Sequence, residues 1–282
     1  MPFPPAVARA LTKLLGDEHT LRRADTLVFP DAGHGYDSFG MHPDFVAFGD
    51  ALCRGLYEDY FRVKSYGHEN IPAVGPAILA ANHSGTLPFD GNMVWNDVLR
   101  NTHPPRVCRA IADYFVNSLP FVGTLFSRAG MVGGSRGNVR NLLESGELLL
   151  LFPEGTPGIG KPFRDRYQLQ DWRKGHCEFA IRYGAPVIPV GIVGAEEQMP
   201  QIARIPLAWT GLPIPYLPVP ATPFPLPVRY HIHYGAPLRF DQEYSPAQAD
   251  DPEVVGEAAA RVKAAVQDLL EKGLEMREGV FA

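Results

Sequence analysis

Ala77-Ile78-Leu79-Ala80-Ala81-Asn82-His83-Ser84-Gly85 is the stretch from which the rest of the chain is read. Five apolar residues in a row follow the turn Asn70-Ile-Pro-Ala-Val-Gly-Pro76 and offer no polar face to water. A run this short and continuous suits a strand buried on both faces, as in a parallel sheet covered by helices. A second such run, ELLLLF at 147–152, leads into Pro153-Glu154-Gly155, and a third, PVIPVGIV at 186–193, follows Gly184. Further strands are expected at 106–111 and 227–234, and helices at 89–100, 138–145, 174–183 and 252–276, the last amphipathic. Strands alternating with helices predict an α/β fold: a layered domain with a largely parallel central sheet flanked by helices. In such sheets ligands bind beyond the carboxyl ends of the strands. His83 and the Glu154-Gly155 turn both fall at such ends.

Just before this region, Phe61, Val63 and Ser65 alternate with Arg62 and Lys64, as in a half-buried strand. The preceding chain reads as amphipathic helix. Residues 4–15 begin with Pro4 and Pro5 and place Val7, Leu11, Leu14 and Leu15 on one stripe, and residues 43–59 do the same with Phe45, Phe48, Leu52 and Leu56. Residues 17–42, with mixed polar and glycine signals, read as loop. The expected organisation is a helical segment, 1–59, suited to docking or to a membrane interface, followed by a main domain, 60–282, that includes the C-terminal helix.

The 282 residues carry a net charge of −5, which argues against a general nucleic-acid partner. The charge is uneven. Residues 241–282 hold ten acidic and four basic side chains, whereas residues 100–140 hold six arginines (Arg100, Arg106, Arg109, Arg128, Arg136, Arg140) against Asp113 alone. Such a basic stretch is either a solvated surface or a site for an anionic ligand. Cys53, Cys108 and Cys177 form no CxxC pair, so reduced thiols in a cytosolic setting are expected. The N-terminus lacks the pattern of a signal peptide. Residues 205–228 are uncharged and long enough to tempt a transmembrane reading, but eight prolines interrupt them. Each removes a backbone donor, so the segment is expected to lie extended on the protein or on a bilayer surface.

Four blocks carry the chemistry. In Asn82-His83-Ser84-Gly85-Thr86-Leu87-Pro88-Phe89-Asp90, an imidazole leaving a buried strand can take a proton near neutral pH. A carboxylate on its other nitrogen would fix the tautomer and stabilise the cation; a surface loop pair is the plain alternative. In Phe152-Pro153-Glu154-Gly155-Thr156 the glycine permits close backbone approach, and free N–H groups in such a turn hold anions. The plain alternative is an ordinary strand exit. Gly130-Met-Val-Gly-Gly-Ser-Arg136 sets an arginine before a helix, and Gly184-Ala-Pro-Val-Ile-Pro-Val190 reads as structural.

In this order and spacing, over residues 60–240, the four blocks resemble the glycerolipid acyltransferase superfamily, which includes the lysophospholipid acyltransferases. They look closest to the branch related to monoacylglycerol and diacylglycerol acyltransferases. The stretch YFRVKSYGHENIPAVGPAILAANHSG and Trp172-Arg173-Lys174-Gly175 are similar to that family as well. The resemblance implies a peripheral enzyme at the cytosolic membrane face. It would move a fatty acyl group from a thioester, acyl-CoA or acyl carrier protein, to the hydroxyl of a lipid acceptor, with no cofactor, no metal and no covalent intermediate. His83 would be the general base and Asp90 its orienting partner. Arg136, Glu154, Gly155, Thr156 and Lys174 would bind the acceptor. Two departures from the family pattern matter. The usual acid position is Pro88, so the loop must bulge for Asp90 to reach His83. The usual arginine after Glu-Gly-Thr, linked to phosphate binding, is Pro157. Neutral acylglycerols are therefore expected to be used at least as well as lysophosphatidate, with Lys161, Arg164, Arg166, Arg173 and Lys174 as alternative sources of charge.

Competing readings attach to other residues. Gly133-Gly134-Ser135-Arg136-Gly137 matches the elbow of serine hydrolases, which would make Ser135 the nucleophile of a lipase or thioesterase. His231 and His233 share one face of a strand and could begin a zinc site, but no third ligand stands out and a solvated polar face is the expected reading. His176 and Cys177, neighbours on a helix, point apart and form no catalytic pair; Cys177 is expected in the core. A protein of the same fold that binds lipid without turning it over is the remaining alternative.

Overall fold

The computed structural model describes residues 3–84, 87–113, 116, 119–207 and 216–282. Its strands are β1 (Lys64–Tyr66), β2 (Ala77–Ala81), β3 (Cys108–Ala112), β4 (Val132–Gly133), β5 (Leu148–Leu151), β6 (Val187–Val193), β7 (Gln201–Pro206), β8 (Tyr216–Pro220) and β9 (His231–Tyr234). Seven form one sheet in the order β1-β9-β6-β2-β5-β3-β4, and β7 and β8 pair in a separate antiparallel ribbon. From β6 across to β4 all neighbours are parallel, whereas β9 runs antiparallel to β6 and parallel to β1. The sheet is thus largely parallel, as its unbroken apolar strands predict.

The helices are α1 (Pro5–Leu15), α2 (Glu18–Asp25), α3 (Pro43–Gly55), α4 (Phe89–Asn101), α5 (Val122–Arg128), α6 (Arg136–Glu144), α7 (Thr156–Ile159), α8 (Gly175–Tyr183), α9 (Ala195–Gln198) and α10 (Pro252–Met276). Side-chain alternation along β2 divides the core in two. Ala77, Leu79 and Ala81 join Met93, Val94, Val98 and Leu99 of α4 on one face of the sheet. Ile78 and Ala80 join Leu142 and Leu143 of α6, Ile181 of α8 and Val262 of α10 on the other. The small alanines let β2, the central strand, take helices on both sides. Gly191 of β6 serves the same purpose for α10: a Cβ there would stand 2.8 Å from the Leu269 Cβ.

Three sequence expectations change. Residues 18–25, read as loop, form α2. This helix has little apolar surface; Asp17 caps it by accepting from the Thr20 N–H at 2.8 Å, and Arg23 ties it to Asp50 of α3 at 2.6 Å. Within the uncharged 205–228 segment, residues 205–206 end β7 and Tyr216–Pro220 form β8 of the antiparallel ribbon, while residues 208–215 lie outside the described residues. His231 and His233 do not make a solvated face. Both are buried, the Tyr66 ring of β1 stacks on them, and Gly273 of α10 comes up to the His233 ring. Burial pushes the His233 imidazole down to about 4, helped by His231 and Lys272, so it stays neutral at pH 7. Among the described residues no group of three or more His, Cys, Asp or Glu could hold a metal ion.

Candidate active site

Three strands end where β5, β2 and β6 lie side by side, and each delivers a polar residue to the same place. Asn82, next after β2, is locked to β6: its amide donates to the Ile192 carbonyl at 3.1 Å and accepts from the Ile192 N–H at 2.8 Å. His83 follows. Its backbone N–H donates to Glu154 Oε1 at 3.1 Å, and its Nδ1 lies 2.7 Å from Asp90 Oδ2. The Ser84 N–H donates to the same Asp90 oxygen at 2.9 Å. Three consecutive residues are held by Ile192, Glu154 and Asp90, which fixes the path of this loop out of the sheet.

Asp90 sits in the first turn of α4 and is fully buried. The wide His-to-Asp spacing therefore does not separate the pair. The start of α4 carries the carboxylate back to the imidazole, and the Gly91 N–H holds its other oxygen at 2.7 Å. A buried carboxylate on Nδ1 keeps the proton there and leaves Nε2 as the free base. The ring is 12% exposed and stacks on Phe152 with centroids 4.2 Å apart. The ring is thus held at one nitrogen and packed on one face.

The Glu154-Gly155-Thr156 turn lies beside this pair, but not as the sequence suggests. The Glu154 carboxylate points inward, away from any head group, and its second oxygen accepts from the Gln170 N–H at 2.9 Å. The Gly155 N–H is spent on the Phe152 carbonyl at 3.0 Å and is not free for an anion. The Thr156 carbonyl accepts from the Tyr216 hydroxyl at 2.7 Å, a contact that a Cβ at Gly160 would block. Gly158 passes so close that a Cβ there would stand 2.9 Å from the His83 carbonyl.

Nor does the fold set Arg136 and Lys174 against His83. Together they line a shallow surface cavity with Asp250, Asp251 and Pro252 at the start of α10. Arg136 is already paired there with Glu178, and its guanidinium covers the Phe179 ring. A cation the fold does bring over Gly155 is Arg173. Its guanidinium packs over Gly155, 3.4 Å from where a Cβ would be, while its backbone N–H is bound to the Pro153 carbonyl at 3.0 Å. Gly155 leaves room for it, which is a second reason for a glycine at this position. Lys161 is buried and held by Glu196, Arg164 lies beside Asp165, and Arg166 lies over the Phe163 ring.

The other arginines of the basic stretch are also committed. Arg109 is buried against Asp37 at 2.7 Å; Arg106 donates to the carbonyls of Pro72, Gly75 and Gly146; Arg100 pairs with Asp50 and Glu58. Arg128 covers the Tyr36 ring, and Arg140 pairs with Glu144. The stretch divides into buried or part-buried scaffolding, such as Arg109 and Arg100, and exposed surface pairs at Arg136 and Arg140, rather than forming one anion site. The hydrolase elbow resolves similarly. A short strand and a helix do flank Ser135, but its Oγ caps α6 by accepting from the Asn138 N–H at 3.0 Å. Among the described residues no histidine is recorded as its partner.

Comparison with known proteins agrees with this geometry. A family model described as Acyltransferase matches residues 62–193, which span both the His83 loop and the Glu154 turn. An uncharacterized protein of Mycobacterium tuberculosis is 37% identical over 256 residues, covering 87% of this chain and 71% of that one. The human DGAT1/2-independent enzyme synthesizing storage lipids is 26% identical over 210 residues, 73% of this chain and 60% of its own length. The crystal structure of the 1-acyl-sn-glycerophosphate (LPA) acyltransferase PlsC from Thermotoga maritima superposes with a TM-score of 0.55 at 21% identity, over 84% of this chain and 80% of that one, and shares the fold. The chain belongs to the glycerolipid acyltransferase superfamily.

Proposed function

We propose that this acyltransferase transfers a fatty acyl group from a thioester, acyl-CoA or acyl carrier protein, to the hydroxyl of a glycerolipid or lysophospholipid. The observation that carries the reading is the His83–Asp90 pair: a buried carboxylate on Nδ1 of an imidazole that stacks on Phe152, with Nε2 left to act as the base. Nε2 takes the proton of the acceptor hydroxyl as its oxygen attacks the thioester carbon. A C–O bond forms, the C–S bond breaks, and the imidazolium returns its proton to the leaving thiolate. Asp90 stabilises the imidazolium between these steps. No side chain is acylated, and the chain needs no cofactor or metal for this sequence. Arg173 supplies the anion contact that Pro157 cannot, and neutral acylglycerols are used at least as well as lysophosphatidate. The protein works at the cytosolic face of a membrane without crossing it, through the apolar surface of α1 and the β7–β8 ribbon.

The test is an acyl-transfer assay with one labelled acyl-CoA and a panel of lipid alcohols. His83→Ala should lower turnover by ~10²–10⁴-fold with an unchanged thermal midpoint. Ser135→Ala in the same assay should keep most of it. A folded His83→Ala with near-native turnover would sink the mechanism, and labelling of Ser135 by a serine-reactive phosphonate would favour a hydrolase.

A further inference from the structure

Beneath the His83–Asp90 pair lies a buried group of charges that takes no direct part in this chemistry. Glu154 is 1% exposed; one oxygen grips the His83 N–H and the other stands 3.9 Å from Lys161 Nζ. Lys161 is 5% exposed and donates from Nζ to Glu196 Oε1 and to the Gln168 carbonyl, both at 2.9 Å. Glu196 is buried on α9, just after β6. Two carboxylates and one ammonium thus share a dry space behind the exits of three strands. Burial pushes the Glu196 carboxyl up to about 7, with the Lys161 ammonium pulling the other way.

A buried carboxylate stays ionised only with a counter-charge close by. An ionised acceptor binds a peptide N–H roughly twice as strongly as a neutral one. The grip on the His83 peptide therefore depends on Lys161, two shells away from the reacting atoms. Ile192 holds Asn82, and Asp90 holds both Ser84 and the His83 ring, so the Glu154 contact acts on the His83 peptide alone and its loss would not release the loop.

We infer that Lys161 and Glu196 are positioning residues for acyl transfer: Lys161 holds the Glu154 carboxylate in place against the His83 N–H, and Glu196 holds Lys161. This rests on His83 being the general base.

Steady-state kinetics and thermal midpoints of His83→Ala, Lys161→Met and the double variant Lys161→Met/Glu196→Gln test it. Lys161→Met should lose ~10-fold or more in kcat, because a misplaced base is costly even when substrate contacts are intact. Both KM values should stay within ~2-fold of the parent, since no binding group is removed. The double variant, which no longer buries two acids without a base, should recover part of the lost kcat. A folded Lys161→Met with parental kcat overturns the inference, as does a loss shared between kcat and KM, or a double variant no better than the single. Should Lys161→Met fail to fold, the double variant decides alone: a kcat below the parent at unchanged KM supports the inference, and a parental kcat overturns it. Loss of turnover in His83→Ala beside an unimpaired Lys161→Met defeats only this inference. Full turnover in His83→Ala defeats the general-base reading and this one with it.

Discussion

Arg173 shows how a residue can reach a site from an unexpected direction. Position 157, where family members carry arginine, is Pro157, yet a guanidinium still lies over Gly155 from a loop that arrives sixteen residues later. Charge-assisted contacts to an anion are worth ~1.5–3 kcal/mol, or about 10- to 100-fold. Arg173→Ala should therefore cut the catalytic efficiency for lysophosphatidate by that factor, leave a neutral acylglycerol nearly untouched, and leave the KM for acyl-CoA unchanged. Matched acceptors in one detergent check this; an equal loss on both acceptors with a raised donor KM would assign Arg173 to the donor. The His83–Asp90 contact was legible in the sequence because its logic is local: a strand end, an imidazole, and a carboxylate within reach along the chain. The direction in which Glu154 points was not, because its partners lie at His83 and Gln170, 71 and 16 residues away. The pairing of Arg136 was not legible either: expected just before a helix, it is the first residue of α6, and nothing in its own block announced Glu178.

At the level of elements, α8 carries a built-in sensitivity to acid. Its His176 is buried, Nδ1 pairs with the Arg173 carbonyl at 2.9 Å, and Nε2 has no partner among the described residues. Burial pushes this imidazole from 6.5 down to about 4. Between those values the unfolded chain takes up a proton that the folded one refuses. Stability is thus intact above about pH 6.5 and is lost as pH falls towards 4. By pH 5 the loss from this residue is ~2 kcal/mol, worth roughly 4–8 °C in Tm. His176→Asn, which keeps a donor for the Arg173 carbonyl, should flatten the fall in Tm between pH 7 and pH 5; an unchanged slope would place the sensitivity elsewhere. The elements themselves divide by their source of stability. β2, β5, β6 and α10 declare themselves by runs and stripes of apolar residues. α2 is invisible to that reading, since a cap and an ion pair to α3 hold it. His231 and His233 look solvated along their own strand, and only the later approach of α10 and the Tyr66 ring makes them dry.

For the whole molecule, the apolar side chains that the fold leaves outside are informative. α1 packs its Ala8 and Thr12 face inward, while Leu14 remains 79% exposed, beside exposed Leu15 and, on α3, Leu52. Gly16 lies against Ala51, which brings these leucines to one end of the helix pair. Ile202, Ile205 and Leu217 are exposed on the ribbon, whose Tyr216 touches the Glu154-Gly155-Thr156 turn. Among the described residues no helix is long and apolar enough to cross a membrane. The protein should float with liposomes, come off in detergent, and bind more weakly as Leu14→Ser/Leu15→Ser. Protein that sediments free of lipid at every lipid charge would count against membrane attachment.

The clamp on residues 82–84 also bears on when activity can arise during synthesis. Asn82 waits for Ile192, the His83 peptide for Glu154, and Lys161 for Glu196. A ribosome that has exposed only the first half of the chain displays the histidine, but not the frame that aims it. Contacts so distant in sequence close late. The frame around His83 is therefore complete only once β6 has been made and has paired beside β2.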